Sequence, residues 1–286
     1  MRRRLTWLDV FTDIPLVGNQ LAVVHDADGL ADETMLAFAR ETRLSETTFV
    51  QSPGEPGADY RNRIFSAPGE LPFAGHPSLG TAVAVARVRG HSKVRYVQQT
   101  RAGLQPVEVQ LDGDHAQASM LQEPPRFGAR PSPADVLAAA GLPVSAGDPQ
   151  LEPQVVSTGF AHLMIPLKDR AALAAAAPVR DAMRALLEPI DAMVLYLAAI
   201  DIDARVAHAR GFFVDPAGVT EDPATGSAAG PLLAYLHERD GIDELVVHQG
   251  IEMGRPSRID CAWADDRPRV SGAVVVIADG HVSLDG

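Results

Sequence analysis

The chain of 286 residues is predicted to be an α+β protein built from two similar halves, each with many strands and one apolar helix. A loop of small residues that leads into an apolar helix occurs twice, and aligning the loop glycines, Gly75 and Gly226, gives an offset of 226 − 75 = 151. The same offset matches Glu70 with Glu221. A repeat of this length indicates a duplicated domain rather than a solenoid. Strand-like segments follow one another like hairpins, which favours α+β over alternating parallel βαβ units.

The first half begins with strand-like segments and one amphipathic helix, in which Met35, Leu36 and Ala39 share a face. Alternating apolar residues and turn signals predict strands and helices in a definite order. We expect strands at 6–11, 21–24, 47–50, 60–65, 94–98, 106–111 and 117–121, a helix at 32–43, and a helix at 81–89 after the first glycine loop.

A proline-rich segment separates the halves. Residues 123–133 contain four prolines, a composition typical of a linker. We therefore expect a first domain at 1–122, to which a C-terminal strand at 279–286 returns, and a second domain at 134–278.

The second half repeats the pattern of the first. The same signals predict strands at 154–156, 162–165, 193–197, 206–214, 244–248, 257–262 and 270–277, a helix at 181–187, and a helix at 231–239 after the second glycine loop.

The composition favours a small-molecule partner. With 25 basic and 37 acidic residues the net charge is −12, so the chain has no basic footprint for nucleic acid or an anionic membrane. The basic start is not followed by a long apolar segment with a cleavage site, so we expect a cytoplasmic protein. The single cysteine, Cys261, lies in a predicted strand, where a buried, inert thiol is expected.

Both glycine loops are candidate anion sites. The loop from Glu70 to Ser78 and the loop from Glu221 to Gly230 lead into helices whose first N–H groups and positive dipole ends favour negative charge. If the two halves face each other, both helix ends could address one cleft, which would suit a small carboxylate substrate.

Three side chains are candidates for acid–base chemistry. Glu46 follows a predicted helix and precedes a strand, and apolar neighbours could raise its pKa, although an exposed loop acid is the simpler alternative. His76 stands at a predicted helix start, where the helix dipole disfavours protonation; a structural histidine is the rival interpretation. Asp222 precedes Pro223 and could simply cap the helix.

The sequence gives little support for a metal or a nucleotide. No His-x-His or His-Glu-x-x-His spacing occurs, and neither glycine loop matches a dinucleotide fingerprint or a P-loop. Ser227 lacks the nucleophile-elbow pattern, so its hydroxyl is interpreted as a cap or a ligand contact. We expect no metal and no cofactor.

The two glycine loops, residues 44–49 and residues 249–257 together resemble the PhzF family of phenazine-biosynthesis isomerases, and the matches extend from near Asp9 to Ser257. The resemblance implies a diaminopimelate-epimerase-like fold: two similar domains, each a β-barrel-like sheet wrapped around a central helix, with the active site in the cleft between them. It also implies a cofactor-independent, homodimeric isomerase. The reaction it implies is the isomerisation of trans-2,3-dihydro-3-hydroxyanthranilate by moving a proton from C3 to C1.

The resemblance also implies roles for individual residues. Glu46 matches the glutamate that shuttles the proton, and His76, Asp222 and Ser227 match other active-site positions. The backbone at Gly75, His76, Gly226 and Ser227 would hold the substrate carboxylate.

One departure from the wider superfamily narrows the chemistry. Racemases and epimerases of that superfamily carry a cysteine before each glycine, whereas this chain has Ala74 and Thr225 there. Two-thiol stereoinversion is thereby excluded, which leaves a proton shift by a carboxylate. Two alternatives stay open: an isomerase, epimerase or lyase acting on another small carboxylic acid, and a catalytically silent carboxylate-binding protein. A second departure is the 212–216 segment before Glu221, which is expected to shape a pocket that differs from the pocket of the phenazine enzymes.

Overall fold

A computed structural model describes residues 2–215 and 218–284. The chain divides into two compact units, Met1–Met120 with Ser271–Gly286, and Leu121–Val270. The second unit thus begins before the proline-rich segment at 123–133. The chain returns to the first unit at Ser271, earlier than the expected 279, because one continuous strand covers Arg267–Ser283. The last two residues of the expected 279–286 strand, and Pro216 of the 212–216 segment, lie outside the described residues.

Seventeen strands are formed by the described residues: β1 (Arg2–Val10), β2 (Asn19–Val24), β3 (Thr47–Gln51), β4 (Tyr60–Phe65), β5 (Glu70–Leu71), β6 (Lys93–Thr100), β7 (Gly103–Asp112), β8 (His115–Leu121), β9 (Arg126–Phe127), β10 (Gln154–Ser157), β11 (Ala161–Leu167), β12 (Val194–Asp201), β13 (Val206–Asp215), β14 (Gly218–Asp222), β15 (Glu244–Gln249), β16 (Ser257–Ala264) and β17 (Arg267–Ser283). The α-helices are α1 (Asp32–Thr42), α2 (Gly75–Arg89), α3 (Pro133–Ala139), α4 (Arg170–Ala174), α5 (Arg180–Leu187) and α6 (Gly226–Asp240).

Strands of the first unit close into a barrel. The pairing runs β1–β2–β3–β4–β6–β7–β8–β17 and returns from β17 to β1. Because every strand of the ring has two neighbours, no strand edge is left open. The short strand β5 forms a hairpin with β4 just before α2.

Helix α2 is the core of this barrel. Small and apolar side chains occupy all its sides, and every residue from Gly75 to Ala86 is buried, as expected for a helix without a polar face. Gly80 allows close contact with β2, since a Cβ there would lie 2.5 Å from Leu21 Cδ2. Each fully buried side chain such as Leu79 or Val83 stabilises the fold by about 1.5–3 kcal/mol. The helix ends at Gly90, whose φ of 72° suits glycine.

The second unit repeats this plan. Its strands pair in the series β9–β10–β11–β12–β13–β15–β16, and β14 forms a hairpin with β13 just before α6. Ten residues of α6 are buried, from Gly226 to Leu236. Helices α3, α4 and α5 contribute Leu137, Leu173 and Met183 to an apolar cluster with β11 and β12. The sequence did not predict α3 and α4, because both are shorter than two full turns and give little periodic signal.

The α+β class and the helix-centred barrel plan are confirmed, with two corrections. Each unit contains two parallel strand pairs, β2–β3 and β4–β6 in the first, β11–β12 and β13–β15 in the second. Helices connect the strands of these pairs, so the succession is not purely hairpin-like. The two central helices also begin at the glycines themselves, Gly75 and Gly226, rather than at 81 and 231.

Candidate active-site residues

The first glycine loop follows a hairpin that is held by a buried ion pair. Arg63 on β4 makes a two-bond fork to Glu70 on β5, with Nε to Oε1 at 2.9 Å and Nη2 to Oε2 at 2.8 Å. The guanidinium also lies over the Phe65 ring, 5.1 Å from its centroid. Such a fork fixes the orientation of its two side chains and also stabilises them. It therefore holds in place the residues that lead into Gly75.

The second glycine loop follows a hairpin with the same construction. Arg210 on β13 forks onto Glu221 on β14, with both bonds at 2.8 Å, and lies over the Phe212 ring at 4.8 Å. Phe65 is paired with Glu70 in the first hairpin, and Phe212 with Glu221 in the second. The two glutamates are 221 − 70 = 151 residues apart, whereas the two arginines are 210 − 63 = 147 apart, because the second hairpin is four residues longer. The duplication inferred from the sequence therefore extends to side-chain contacts.

Neither central helix has a side-chain cap. The residues that precede the helices, Ala74 and Thr225, make no side-chain hydrogen bond to the first turn. Threonine is a common cap, but Thr225 donates its hydroxyl to Asp222 instead, at 2.7 Å. Both helix ends consequently present their first N–H groups and positive dipole ends without a competing side chain, as anion sites require.

Glu46 and His76 lie together in the first unit. Glu46 stands between α1 and β3, as predicted, and His76 is the second residue of α2. Glu46 Oε2 lies 3.6 Å from His76 Nε2, with the glutamate side chain 18% exposed and the histidine 5%. The simple alternative of an exposed loop acid is wrong for Glu46. The arrangement places a partly accessible carboxylate next to an imidazole, which suits proton transfer.

His76 is neutral near pH 7. Burial lowers its pKa from 6.5 to about 3, opposed only in part by a hydrogen bond to the Gln20 backbone. The Glu46–His76 contact is therefore not an ion pair at neutral pH. Nδ1 lies 3.2 Å from Asn19 Nδ2, and Nε2 is the ring nitrogen that faces Glu46.

Two buried polar residues of the first unit were not among the predicted site residues. Asn19 is buried and contacts the His76 ring. Asp9, buried at the end of β1, accepts a hydrogen bond from the Leu16 N–H at 2.7 Å. Gly18 permits this loop to turn, because its φ is +72° and a Cβ would meet Val10 O at 2.6 Å. The available signal in the sequence was a pair of polar residues, Asp9 and Asn19, on either side of a turn that contains one proline and one glycine.

Asp222 belongs to a buried hydrogen-bond network in the second unit. It ends β14 and accepts from Thr225 Oγ1, so the interpretation as a helix cap is wrong. Gln249 donates to the Asp222 carbonyl at 2.7 Å and to Thr225 Oγ1 at 2.9 Å. It also accepts from Tyr196 OH at 3.0 Å and from Thr225 N at 3.1 Å. With every polar atom of Gln249 engaged, the network fixes the Asp222 carboxylate on a rigid support.

Two glycines leave room for this network. A Cβ on Gly211 would lie 2.7 Å from Thr225 Oγ1, and a Cβ on Gly250 would lie 2.6 Å from Pro223 O. Gly250 also has a φ of +76°. Gln249 and Gly250 open the 249–257 motif, and the structure gives that motif a physical purpose, which is to support the second glycine loop.

Ser227, the second residue of α6, has an unforeseen neighbour. Its Oγ lies 3.2 Å from Nε2 of His162 on β11. His162 is 2% exposed. Burial lowers its pKa to about 4, although a hydrogen bond with the Ser227 backbone raises the pKa in part. His162 was not among the predicted site residues, because a lone histidine at the start of a strand carries no recognisable spacing.

Several other expectations can be compared with the structure. Cys261 is buried, and burial raises its pKa, so it is the inert thiol that was expected. Among residues 2–215 and 218–284, no group of three or more His, Cys, Asp or Glu side chains could hold a metal ion. No helix in the described parts of the chain is long and apolar enough to span a membrane.

Solved structures place the fold in the diaminopimelate-epimerase-like class. A hydroxyproline epimerase from Agrobacterium vitis superimposes with a TM-score of 0.66 at 15% identity, covering 100% of this chain and 93% of that one, which shows the fold alone. A phenazine biosynthesis protein of the PhzF family from Bacillus anthracis superimposes with a TM-score of 0.84 at 28% identity, covering 99% of each chain. The chain therefore has the fold of this class.

The chain belongs to the PhzF family. The family model of phenazine biosynthesis-like proteins matches residues 8–280. The trans-2,3-dihydro-3-hydroxyanthranilate isomerase of Pseudomonas aeruginosa is 39% identical over 288 residues, covering 99% of this chain and 98% of that protein. The resemblance identified from the glycine loops is confirmed, as is the expectation of an isomerase.

Proposed function

We propose that the chain isomerises trans-2,3-dihydro-3-hydroxyanthranilate without a cofactor, in phenazine biosynthesis. The observation that carries this proposal is the pairing of Glu46 Oε2 with the buried, neutral His76 at 3.6 Å, at the uncapped start of α2. The name of the 39% identical relative supports the choice of substrate.

Glu46 is the proposed proton carrier. Its carboxylate takes the proton from C3 of the ring, and the electron pair released moves through the conjugated system toward C1. The resulting carboxylic acid exchanges its proton with solvent and then gives a proton to C1, so atoms and charge balance without a redox partner. A carboxylate can serve as base and then as acid in this way when it lies close to both carbons.

His76 and the second-unit residues have proposed binding roles. A neutral imidazole can hold a polar group of the substrate without adding charge. The N–H groups at Gly75, His76, Gly226 and Ser227 are the proposed donors to the substrate carboxylate. Asp222, held by Thr225 and Gln249, is proposed to orient another polar group of the substrate.

The test is proton NMR of the dihydro acid in deuterated water. Wild type should convert the substrate and place deuterium in the product, because Glu46 exchanges with solvent between the two steps. Glu46→Gln should bind the substrate but convert it with a kcat lower by about 10²–10⁴-fold. Glu41→Gln, which changes an exposed glutamate on α1, is the matched control and should behave as wild type. Conversion by Glu46→Gln at the wild-type rate would refute the assignment.

Variants in the second unit test the binding roles. Ser227→Ala should raise KM with little change in kcat, since a carboxylate contact remote from the reacting carbons stabilises ground and transition states equally. Asp222→Asn should lower kcat if it orients the reacting ring. Unchanged kinetics in both would remove the second-unit residues from the mechanism.

Other small carboxylic acids are the second candidate set. The relatives of this chain include proteins described only as uncharacterised isomerases, one 36% identical from Mesorhizobium japonicum. If wild type leaves the dihydro acid unchanged, hydrogen exchange into other unsaturated amino and hydroxy acids would redirect the substrate assignment. Absence of exchange with every acid would favour a silent carboxylate-binding protein.

A cytoplasmic homodimer is the proposed working form. Light scattering of the purified chain should give twice the mass of 30.4 kDa, and cell fractionation should recover it with cytoplasmic markers. A monomeric mass at micromolar concentration would contradict the dimer.

A further inference from the structure

The second residues of both central helices contact a polar side chain on an equivalent strand. His76 on α2 meets Asn19 on β2, and Ser227 on α6 meets His162 on β11. Strands β2 and β11 occupy the same place in the two units, each paired antiparallel with the strand before it and parallel with the strand after the next helix. Both units therefore have a contact between the second residue of the central helix and this strand, but the side chains that form the contact differ.

The protonation of His162 follows from its surroundings. Of the two ring nitrogens, Nε2 is the one that faces Ser227 Oγ. His162 Nδ1 is buried and has no hydrogen-bond partner among the described residues. A buried N–H without an acceptor is rarer than a buried bare lone pair, so the ring proton belongs on Nε2.

This tautomer dictates what Ser227 can do. Nε2–H points at the serine, whose Oγ lies 3.2 Å away, so the hydroxyl oxygen is occupied as an acceptor. The hydroxyl hydrogen is then left to act as a donor. Ser227 is half-buried, whereas Thr225, Gly226 and Ala228 beside it are buried, so this donor is accessible.

We propose that His162 is a positioning residue that makes Ser227 a hydrogen-bond donor for the substrate carboxylate. The inference rests on the proposed function and deepens it, since it explains why that position selects an anionic acceptor group. An oxygen that accepts, such as a carboxylate, matches the hydroxyl and the free N–H groups of α6 together. A group that only donates would find no acceptor at Ser227.

The kinetic test compares four proteins: wild type, His162→Leu, Ser227→Ala and the double variant. His162→Leu should raise KM for the dihydro acid about tenfold, the effect of weakening one charged hydrogen bond, with kcat within about twofold. In the Ser227→Ala background, His162→Leu should add less than about twofold. His162→Gln can place an amide N–H near the position of Nε2, so its KM should be close to the wild-type KM.

The control is His208→Gln, because His208 lies in the same unit on β13 but stacks on His248 and not on Ser227. Its KM should equal that of wild type. If His162 had a merely structural role, His162→Leu would lower kcat as well, and its effect would be equally large in the Ser227→Ala background. That result would overturn the inference.

A measurement on wild type covers the case in which His162 variants fail to fold. Nitrogen-15 NMR of histidine-labelled protein distinguishes a protonated from a bare ring nitrogen. The His162 ring should show a bare Nδ1 and a protonated Nε2 near neutral pH, and a proton on Nδ1 would overturn the inference. If wild type neither binds nor converts the dihydro acid, the proposed function fails and the substrate part of this inference falls with it. Conversion with unchanged KM in His162→Leu would refute this inference alone.

Discussion

Replacing Arg210 by methionine should destabilise the second unit strongly. The guanidinium forks onto Glu221 and, through Nη1, donates to the carbonyls of Leu173 at 3.1 Å and Ala176 at 3.0 Å. The fork holds the hairpin before α6, and the carbonyl bonds hold the end of α4. Methionine keeps the unbranched apolar stem but leaves a mostly buried carboxylate without its partner, since the Glu221 side chain is 18% exposed.

The expected loss is about 3–5 kcal/mol, the usual cost of removing one partner of a buried ion pair. Adding Glu221→Leu should recover only part of it, because the Leu173 and Ala176 carbonyls still lack a donor and each costs about 1–3 kcal/mol if buried. In the first unit, Arg63 bonds Glu70 and the exposed Asp32, and no hydrogen bond from Arg63 to a backbone carbonyl is found among the residues that the structure describes. The double change Arg63→Met with Glu70→Leu should therefore recover more.

The two tryptophans make the assay specific for each unit. Trp7 lies on β1 in the first unit and Trp263 on β16 in the second, so urea unfolding followed by fluorescence in a Trp7→Phe background reports on the second. The reverse background, Trp263→Phe, reports on the first. A loss below about 1 kcal/mol for Arg210→Met, the usual value for an exposed pair, would refute this account of the fork.

Two further perturbations test the packing and the buried histidines. Gly230→Ala should lower the free energy of unfolding by about 1–3 kcal/mol through overpacking, because the added Cβ would lie 1.8 Å from Gln122 Oε1. Gly69→Ala is the control, because a Cβ at Gly69 would have nothing within 4 Å. In the same urea assay it should change the free energy of unfolding by less than about 0.5 kcal/mol. Burial lowers the pKa of His25, His76 and His162 to about 4, 3 and 4, so these rings stay neutral when folded and take up protons on unfolding below about pH 6.5. Stability should be full above that pH and fall as the pH drops toward 5, by up to about 1.4 kcal/mol per pH unit for each histidine; His25→Gln should flatten the slope, and an unchanged slope would contradict the neutral assignment.

The sequence was informative where local chemistry repeats. The match of Glu70 with Glu221 at an offset of 151 identified two residues that prove to bind arginines in the same way. The loop glycines, Gly75 and Gly226, marked where each helix follows, but the predicted helix starts at 81 and 231 came six and five residues too late. Helix boundaries were the weakest part, because Pro231 suggested a first turn but lies inside α6.

Contacts between distant positions could not be anticipated in the same way. Asn19 and His76 are 57 residues apart, and His162 and Ser227 are 65 apart. No spacing rule links such pairs, since strand pairing and helix burial decide which side chains meet. The same reason explains Asp222, whose position before Pro223 suggested a cap until the folded chain placed Thr225 Oγ1 and Gln249 against it.

The sequence by itself determined the duplicated α+β plan, the two glycine-led helices and the PhzF resemblance, because each depends on residue types at short or regular spacing. Only the tertiary structure decided that Glu46 lies beside a buried His76, that Thr225 leaves its helix uncapped, and that His162 contacts Ser227. Those properties arise from burial and from hydrogen bonds between remote segments. They come into existence only when the strands close around each central helix and exclude water from its first turn.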